Sequence, residues 1–143
     1  MSTKAEHATK LHENGCNCAQ AVACSFCQEF GIDENEMFRI AEGFGLGMGV
    51  MEMCGALSGM AMIIGLSNSR GNTEEGSGSK GDTYKRLRTY IQKLQRKKRL
   101  PSICRELKGS GDRQGSLQLP AVYHRCGCSY RRISCGKTDN LIK

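Results

Sequence analysis

Apolar residues recur at helical spacing along much of the chain. In residues 4–14, Ala5, Ala8, Leu11 and His12 share one face, and Gly15 supplies a stop. Asn17 is placed to cap a second helix over 18–30, with an apolar stripe of Ala19, Val22, Ala23, Phe26 and Phe30 and an end at Gly31. A third helix begins near Asp33 and carries Met37, Phe38, Ile40 and Ala41. The stretch 52–66, EMCGALSGMAMIIGL, is apolar on nearly every side, which predicts a buried central helix. Gly55 and Gly59 open a groove along it for a close neighbour. Asp82 caps a basic helix over 83–99 with Tyr84, Leu87, Ile91 and Leu94 on its apolar face. Pro101 breaks that helix, and Ser102 opens a short one with Cys104 in its first turn.

The helical pattern fails in three places. In GFGLGMG, Gly43, Gly45, Gly47 and Gly49 alternate with Phe44, Leu46 and Met48, which favours neither helix nor strand. The expectation is a compact loop with its apolar residues inward, its glycines allowing close backbone approach to the cysteines. Residues 67–81 are a polar, Gly/Ser-rich loop. Residues 110–143 are Gly-, Arg- and Cys-rich without periodicity. The fold expected is all-α: a small helical bundle with a Gly-rich loop before a buried central helix, a domain over 1–109 and an irregular tail over 110–143.

Composition narrows the chemistry. The 143 residues include 9 cysteines, 7 methionines and no tryptophan. No apolar run is long enough to span a membrane, and the N-terminus lacks the apolar core of a secretory signal. These features predict a cytoplasmic protein, where clustered cysteines serve metal binding or redox chemistry rather than structural disulfides. An odd cysteine count also excludes a complete disulfide framework. The net charge of +7 is uneven. Residues 1–83 carry 5 basic and 11 acidic side chains, residues 84–109 carry 10 and 1, and residues 110–143 carry 6 and 2. The run KRLRTYIQKLQRKKR reads as a solvated helix face rather than a nucleic-acid site. GFGLGMG lacks the strand and spacing of a dinucleotide fingerprint, and no histidine stands at zinc-finger spacing.

Cys18, Cys54 and Cys104 each fall at a predicted helix start, and Cys126 and Cys128 form CGC in the tail. Free N–H groups at a helix start favour thiolates, so these thiols are expected to have lowered pKa values. Cys24 and Cys27 read as core residues of the second helix, and Cys16 as an accessory thiol in a turn.

The motif CGALSG (54–59), preceded by NCAQAV and GFGLGMG and followed by ICREL, resembles the bacterial C_GCAxxG_C_C family of redox-active proteins over residues 1–108. The resemblance implies four key cysteines: Cys18, Cys54, Cys104 and one in the tail. A related segment of split-Soret-type cytochromes implies an electron-transfer setting. The function expected is electron transfer or thiol/disulfide exchange, as an oxidoreductase or electron carrier working with a redox partner protein. Four thiolates, Cys18, Cys54 and Cys104 with Cys126 or Cys128, suit an iron–sulfur cluster. The alternatives are a non-catalytic metal-binding protein and a structural, partner-binding helical protein. The small-residue helix 52–66 also offers a face for a homodimer.

The tail departs from the family, and its coding suggests why. LQLPAVYHRCGCSYRRISCGKTDNLIK can be back-translated with permitted codons and moved by one base. The shifted frame then reads CSCRRCITDAAAAIEEFLAEKLIIS, which holds a C-x-x-C pair, a Thr-Asp cap and an apolar stripe at helical spacing. A frame change or a sequencing error at about residues 109–116 would account for both tails and would make Cys126, Cys128 and Cys135 out-of-frame residues. Resequencing the gene should find a one-base insertion or deletion in that interval. An unambiguous read of the present frame sinks the idea.

Overall fold

The computed structural model describes residues 4–76, 78–98 and 102–108. Among them the fold is all-α, and the only β pairing is two isolated bridges. Among the described residues no helix is long and apolar enough to cross a membrane.

Helix α1 (Lys4–Glu13) buries Ala5 and Ala8 and stops at Gly15, whose φ is +97°. Helix α2 (Cys18–Cys27) starts at Asn17, which accepts hydrogen bonds from the Ala19 and Gln20 N–H groups, while Gln20 returns a bond to the Asn17 N–H. This reciprocal capping box satisfies donors that a helix start leaves unpaired. A short 3₁₀ turn, Gln28–Phe30, and left-handed Gly31 close the helix. Asp33 caps helix α3 (Glu34–Ala41), as its sequence predicts.

Every residue of α2 is buried. It is the hub of the fold, with α1, α3 and α4 packed around it. The sequence pattern points to α4 (Gly55–Asn68) as the buried helix; α4 does bury Leu57, Met60, Ile63 and Ile64, but shares that role with α2. The two helices meet at glycines. A Cβ on Gly55 would stand 3.1 Å from the Cys18 Cβ, and one on Gly59 2.7 Å from the Ala19 carbonyl oxygen.

Helix α5 (Lys80–Lys98) packs on α4. It begins earlier than the sequence pattern predicts, so Asp82 is no cap but lies in the first turn, ion-paired with Arg86 at 2.9 Å. Its buried face is Tyr90 and Leu94, flanked by Leu87 and Ile91, whereas Tyr84, expected on that face, is exposed. Leu87, Ile91 and Leu94 lie on the packed face as expected, and Tyr90 joins them in place of Tyr84. The basic residues Lys85, Arg88, Lys93 and Arg96 are exposed, as a solvated face requires. Helix α6 (Cys104–Lys108) is the last described element.

The α2–α4 contact gives a paired prediction. Gly59→Ala should cost about 1–3 kcal/mol through the clash with backbone, more than the ~1 kcal/mol gained in helix propensity. Gly65→Ala, with nothing within 4 Å of its added methyl, should instead stabilise by up to ~1 kcal/mol. Urea denaturation of both variants checks the sign of each.

Candidate functional site

Three chain segments meet where α2 and α4 begin. Cys18 opens α2 and Cys54 precedes the first turn of α4. The third segment, 102–108, is tied on by backbone: Met53 and Ile103 form an antiparallel bridge, the Cys54 N–H donates to the Ser102 carbonyl at 2.9 Å, and the Cys104 N–H donates to the Glu52 carbonyl. Arg105 adds an ion pair to Glu52. Cys18, Cys54 and Cys104 are thereby gathered at one end of the bundle, only 6, 2 and 4 % exposed.

The loop between α3 and α4 covers this end. It comprises a 3₁₀ turn, Glu42–Phe44, and a π turn, Gly47–Met51. The side chains are arranged opposite to the sequence expectation: Gly45 and Gly47 are buried, while Phe44, Leu46 and Met48 face solvent. The glycines must be inside because backbone is already there. A Cβ on Gly47 would stand 3.0 Å from the Cys104 Cβ, and one on Gly45 would collide with Asn17. The expected close approach of glycine backbone to the cysteines is therefore present, but it drives the apolar side chains outward. Leu46, Met48 and Met51 hold positive φ values of 51, 60 and 59°, a conformation that costs side-chain-bearing residues about 1–2 kcal/mol each. Asn17 ties the loop to α2, its Nδ2 donating to the Glu42 carbonyl at 2.9 Å. Gln20 does the same for α3 through the Phe38 carbonyl at 3.1 Å. The sequence marks Asn17 as a cap; these second bonds across the fold have no local signature.

The electrostatics of Cys54 differ from the expectation of a lowered pKa. Burial pushes its thiol up. The Leu57 and Ala56 N–H groups act the other way, without closing a regular cap hydrogen bond, and nearby Cys18 and Cys104 add to the rise. The helix start is real, but removal of water outweighs it.

A second group of thiols lies on the far side of α2. Cys24 and Cys27 are buried among Ala23, Met37 and Ala41, in keeping with a core role. The Cys27 thiol donates to the Cys24 carbonyl at 3.1 Å. Burial, then Cys27, Glu34 and Cys16, push Cys24 up from 9.0 to about 12. Cys16, half-buried, is raised by burial and by Glu34. His12 meets the Cys16 carbonyl through Nδ1 at 2.8 Å.

The family is decided by comparison with known sequences. Residues 16–135 match the family described as "Putative redox-active protein (C_GCAxxG_C_C)". The chain belongs to the C_GCAxxG_C_C family. Comparisons with curated proteins and with solved structures gave no match. The family match runs on into the tail, so Cys126 and Cys128 lie within it although both fall outside the described residues. Its extent counts against a shifted frame and the coding argument counts for one; the nucleotide sequence decides. Of the C_GCAxxG_C_C cysteines, the fold thus gathers Cys18, Cys54 and Cys104. An iron–sulfur cluster needs more. Among the described residues no group of three or more His, Cys, Asp or Glu side chains is arranged to hold a metal.

The buried thiols carry a pH signature. Cys24 is protonated in the folded chain up to about pH 12 but ionises near 9.0 when unfolded. Between those values the unfolded state binds fewer protons, so the stability Cys24 contributes is whole below pH 9.0 and lost as pH rises to about 12. Under reducing conditions the urea midpoint should fall over this range, and less steeply in Cys24→Ala. Identical slopes would remove Cys24 as the source.

Proposed function

We propose that this chain is a thiol/disulfide redox protein in which Cys54 is the attacking thiol and Cys18 its resolving partner. The observation that carries the reading is the convergence of Cys18, Cys54 and Cys104, from three separate segments, in one buried place. Structural packing alone has no need for cysteine at all three positions, whereas exchange chemistry needs at least two thiols within reach.

Cys54 is the better nucleophile because the Ala56 and Leu57 N–H groups favour its thiolate once the cover of the Gly-rich loop moves and water enters. Cys18 is chosen because its Cβ lies 3.1 Å from where a Cβ on Gly55, the residue after Cys54, would stand. The Cys54 thiolate attacks one sulfur of a partner disulfide. The partner's other sulfur leaves as a thiolate and takes a proton. Cys18, losing its own proton, then attacks the Cys54 sulfur of the mixed disulfide, releasing the partner's second thiolate. Two electrons pass from the Cys18/Cys54 dithiol to the partner, and the Cys18–Cys54 disulfide remains. Electron transfer through an iron–sulfur cluster is the second reading. It draws on the same three thiols and requires a further ligand such as Cys126 or Cys128.

With oxidised glutathione as the test disulfide, Cys54→Ser should abolish reduction. Cys18→Ser should stall as a glutathione adduct on Cys54, seen by mass spectrometry. Full turnover in both variants would end the dithiol reading. Equal iron and sulfide in anaerobically purified protein would replace it with the cluster.

A further inference from the structure

Helix α2 carries a second pair of thiols away from the site. Cys24 and Cys27 form its last turn as C-x-x-C, only 3 and 0 % exposed, and pack against Met37 and Ala41 of α3 and Ile32 before it. Packing asks for small side chains here, as Ala19 and Ala23 supply on the same side of the helix. It does not ask for two thiols one turn apart.

The backbone brings the two sulfurs within reach of a bond. Residues three apart in a helix have Cα atoms roughly 5 Å apart, inside the span of a disulfide, about 4.4–6.8 Å. Their Cβ atoms, about 5–6 Å apart, must close to about 3.5–4.5 Å. A 3₁₀ turn does this, because it stacks residue i on i+3. The chain is already turning that way: the 3₁₀ turn Gln28–Phe30 follows Cys27 directly, and Gln28 holds φ −61° and ψ −29°. The Cys27 thiol donates to the Cys24 carbonyl at 3.1 Å. Loss of that S–H opens the carbonyl to the Cys27 N–H, the hydrogen bond of a 3₁₀ turn.

We propose that Cys24 and Cys27 form a second redox centre, a dithiol that a hydroperoxide closes to a disulfide, fixing the end of α2 as a 3₁₀ turn. The Cys27 thiolate attacks one peroxide oxygen, the O–O bond breaks, and the other oxygen leaves with its substituent and takes a proton. Cys24, giving up its proton, attacks the sulfur of the resulting sulfenic acid; the S–S bond forms and water leaves. Two electrons pass from the dithiol to the peroxide. Burial and Glu34 push the Cys27 thiol up, but the Gln28 and Cys27 N–H groups and Lys4 act against the rise. At Cys24, burial, Cys27, Glu34 and Cys16 all push upward. Cys27 is therefore the attacking sulfur and Cys24 the resolving one. The same surroundings favour a disulfide over a metal: two thiolates on a soft monovalent cation bring net negative charge beside Glu34 in a buried place, whereas dithiol and disulfide are both neutral. Thiols of raised pKa are seldom ionised and leave slowly, so the bond forms slowly and reopens slowly. Its closure also reaches α3, because the Cys24 thiol donates to the Glu34 carbonyl at 3.8 Å and loses that link. The centre works without Cys18 or Cys54, so it stands or falls separately from the exchange reaction at the site.

The test treats the reduced full chain with hydrogen peroxide, alkylates the remaining thiols and digests with chymotrypsin. Cleavage after Phe26 separates Cys24 from Cys27, so only a disulfide keeps the two pieces together. The joined pieces should accumulate in the native chain and in Cys54→Ser alike, and be lost in Cys27→Ala and in Cys24→Ala. With the bond closed, the amides of 32–36 should exchange several-fold faster than in the reduced chain, and peroxide should leave them unchanged in either alanine variant. Thiols that are alkylated, or oxidised without joining, would overturn the proposal. A bond from Cys24 to Cys16 would overturn it in favour of that pair. Uptake of one equivalent of copper(I), lost in both alanine variants, by a pair that peroxide leaves unjoined would overturn it in favour of a soft-metal site.

Discussion

The contact between α2 and α4 sets the spacing of everything around it. Gly55 and Gly59 let the two backbones come closer than side chains permit, and Ala19 and Val22 fill the seam. Helices that approach this closely exchange many small dispersion contacts over a short length. They also bring their first turns together, which is why Cys18 and Cys54 are neighbours. Any residue larger than glycine at 55 would meet Cys18 and the Phe44 carbonyl at once. The glycines of the CGAxxG spacing therefore fix where its cysteine sits.

The same closeness limits reactivity at rest. A thiol at a helix start is commonly read as activated. Here burial acts on Cys54 more strongly than the two backbone N–H groups, so the thiol is held protonated while the loop is in place. Reaction then depends on when water and partner reach the sulfur. The loop over the site packs its glycines against the cysteine end and turns its apolar side chains outward.

Local rules read much of this fold correctly. The caps at Asn17 and Asp33, the stops at Gly15 and Gly31, and the packing glycines of α4 follow from residue chemistry within a few positions. What sequence reasoning misses is set by partners distant along the chain. The alternation in GFGLGMG has no inherent inside; Cys104 and Asn17 decide it by occupying the space a Cβ would need at Gly47 and Gly45. Tyr90 is buried where α5 packs on α4, while Tyr84, one turn before Leu87 on the same stripe, stays exposed; a periodic stripe does not say how far along it the neighbouring helix reaches. Cys18, Cys54 and Cys104 were legible as candidates from motif and helix position. Their meeting was not: Cys104 reaches the other two through the Met53–Ile103 bridge, which joins segments fifty residues apart.

That bridge has a bearing on how the chain is made. The arm carrying Cys104 is tied to residues 52–54 by a few backbone hydrogen bonds and one exposed ion pair, and it comes late in the sequence. During synthesis α1 to α4 emerge and can pack first. Until residues 102–108 clear the ribosome, the Cys54 N–H lacks its Ser102 partner and the cysteine end lacks its third segment. The nascent chain thus passes through an interval in which the cysteine end is incomplete. Its length is set by the time taken to translate α5 and the polar loop before it.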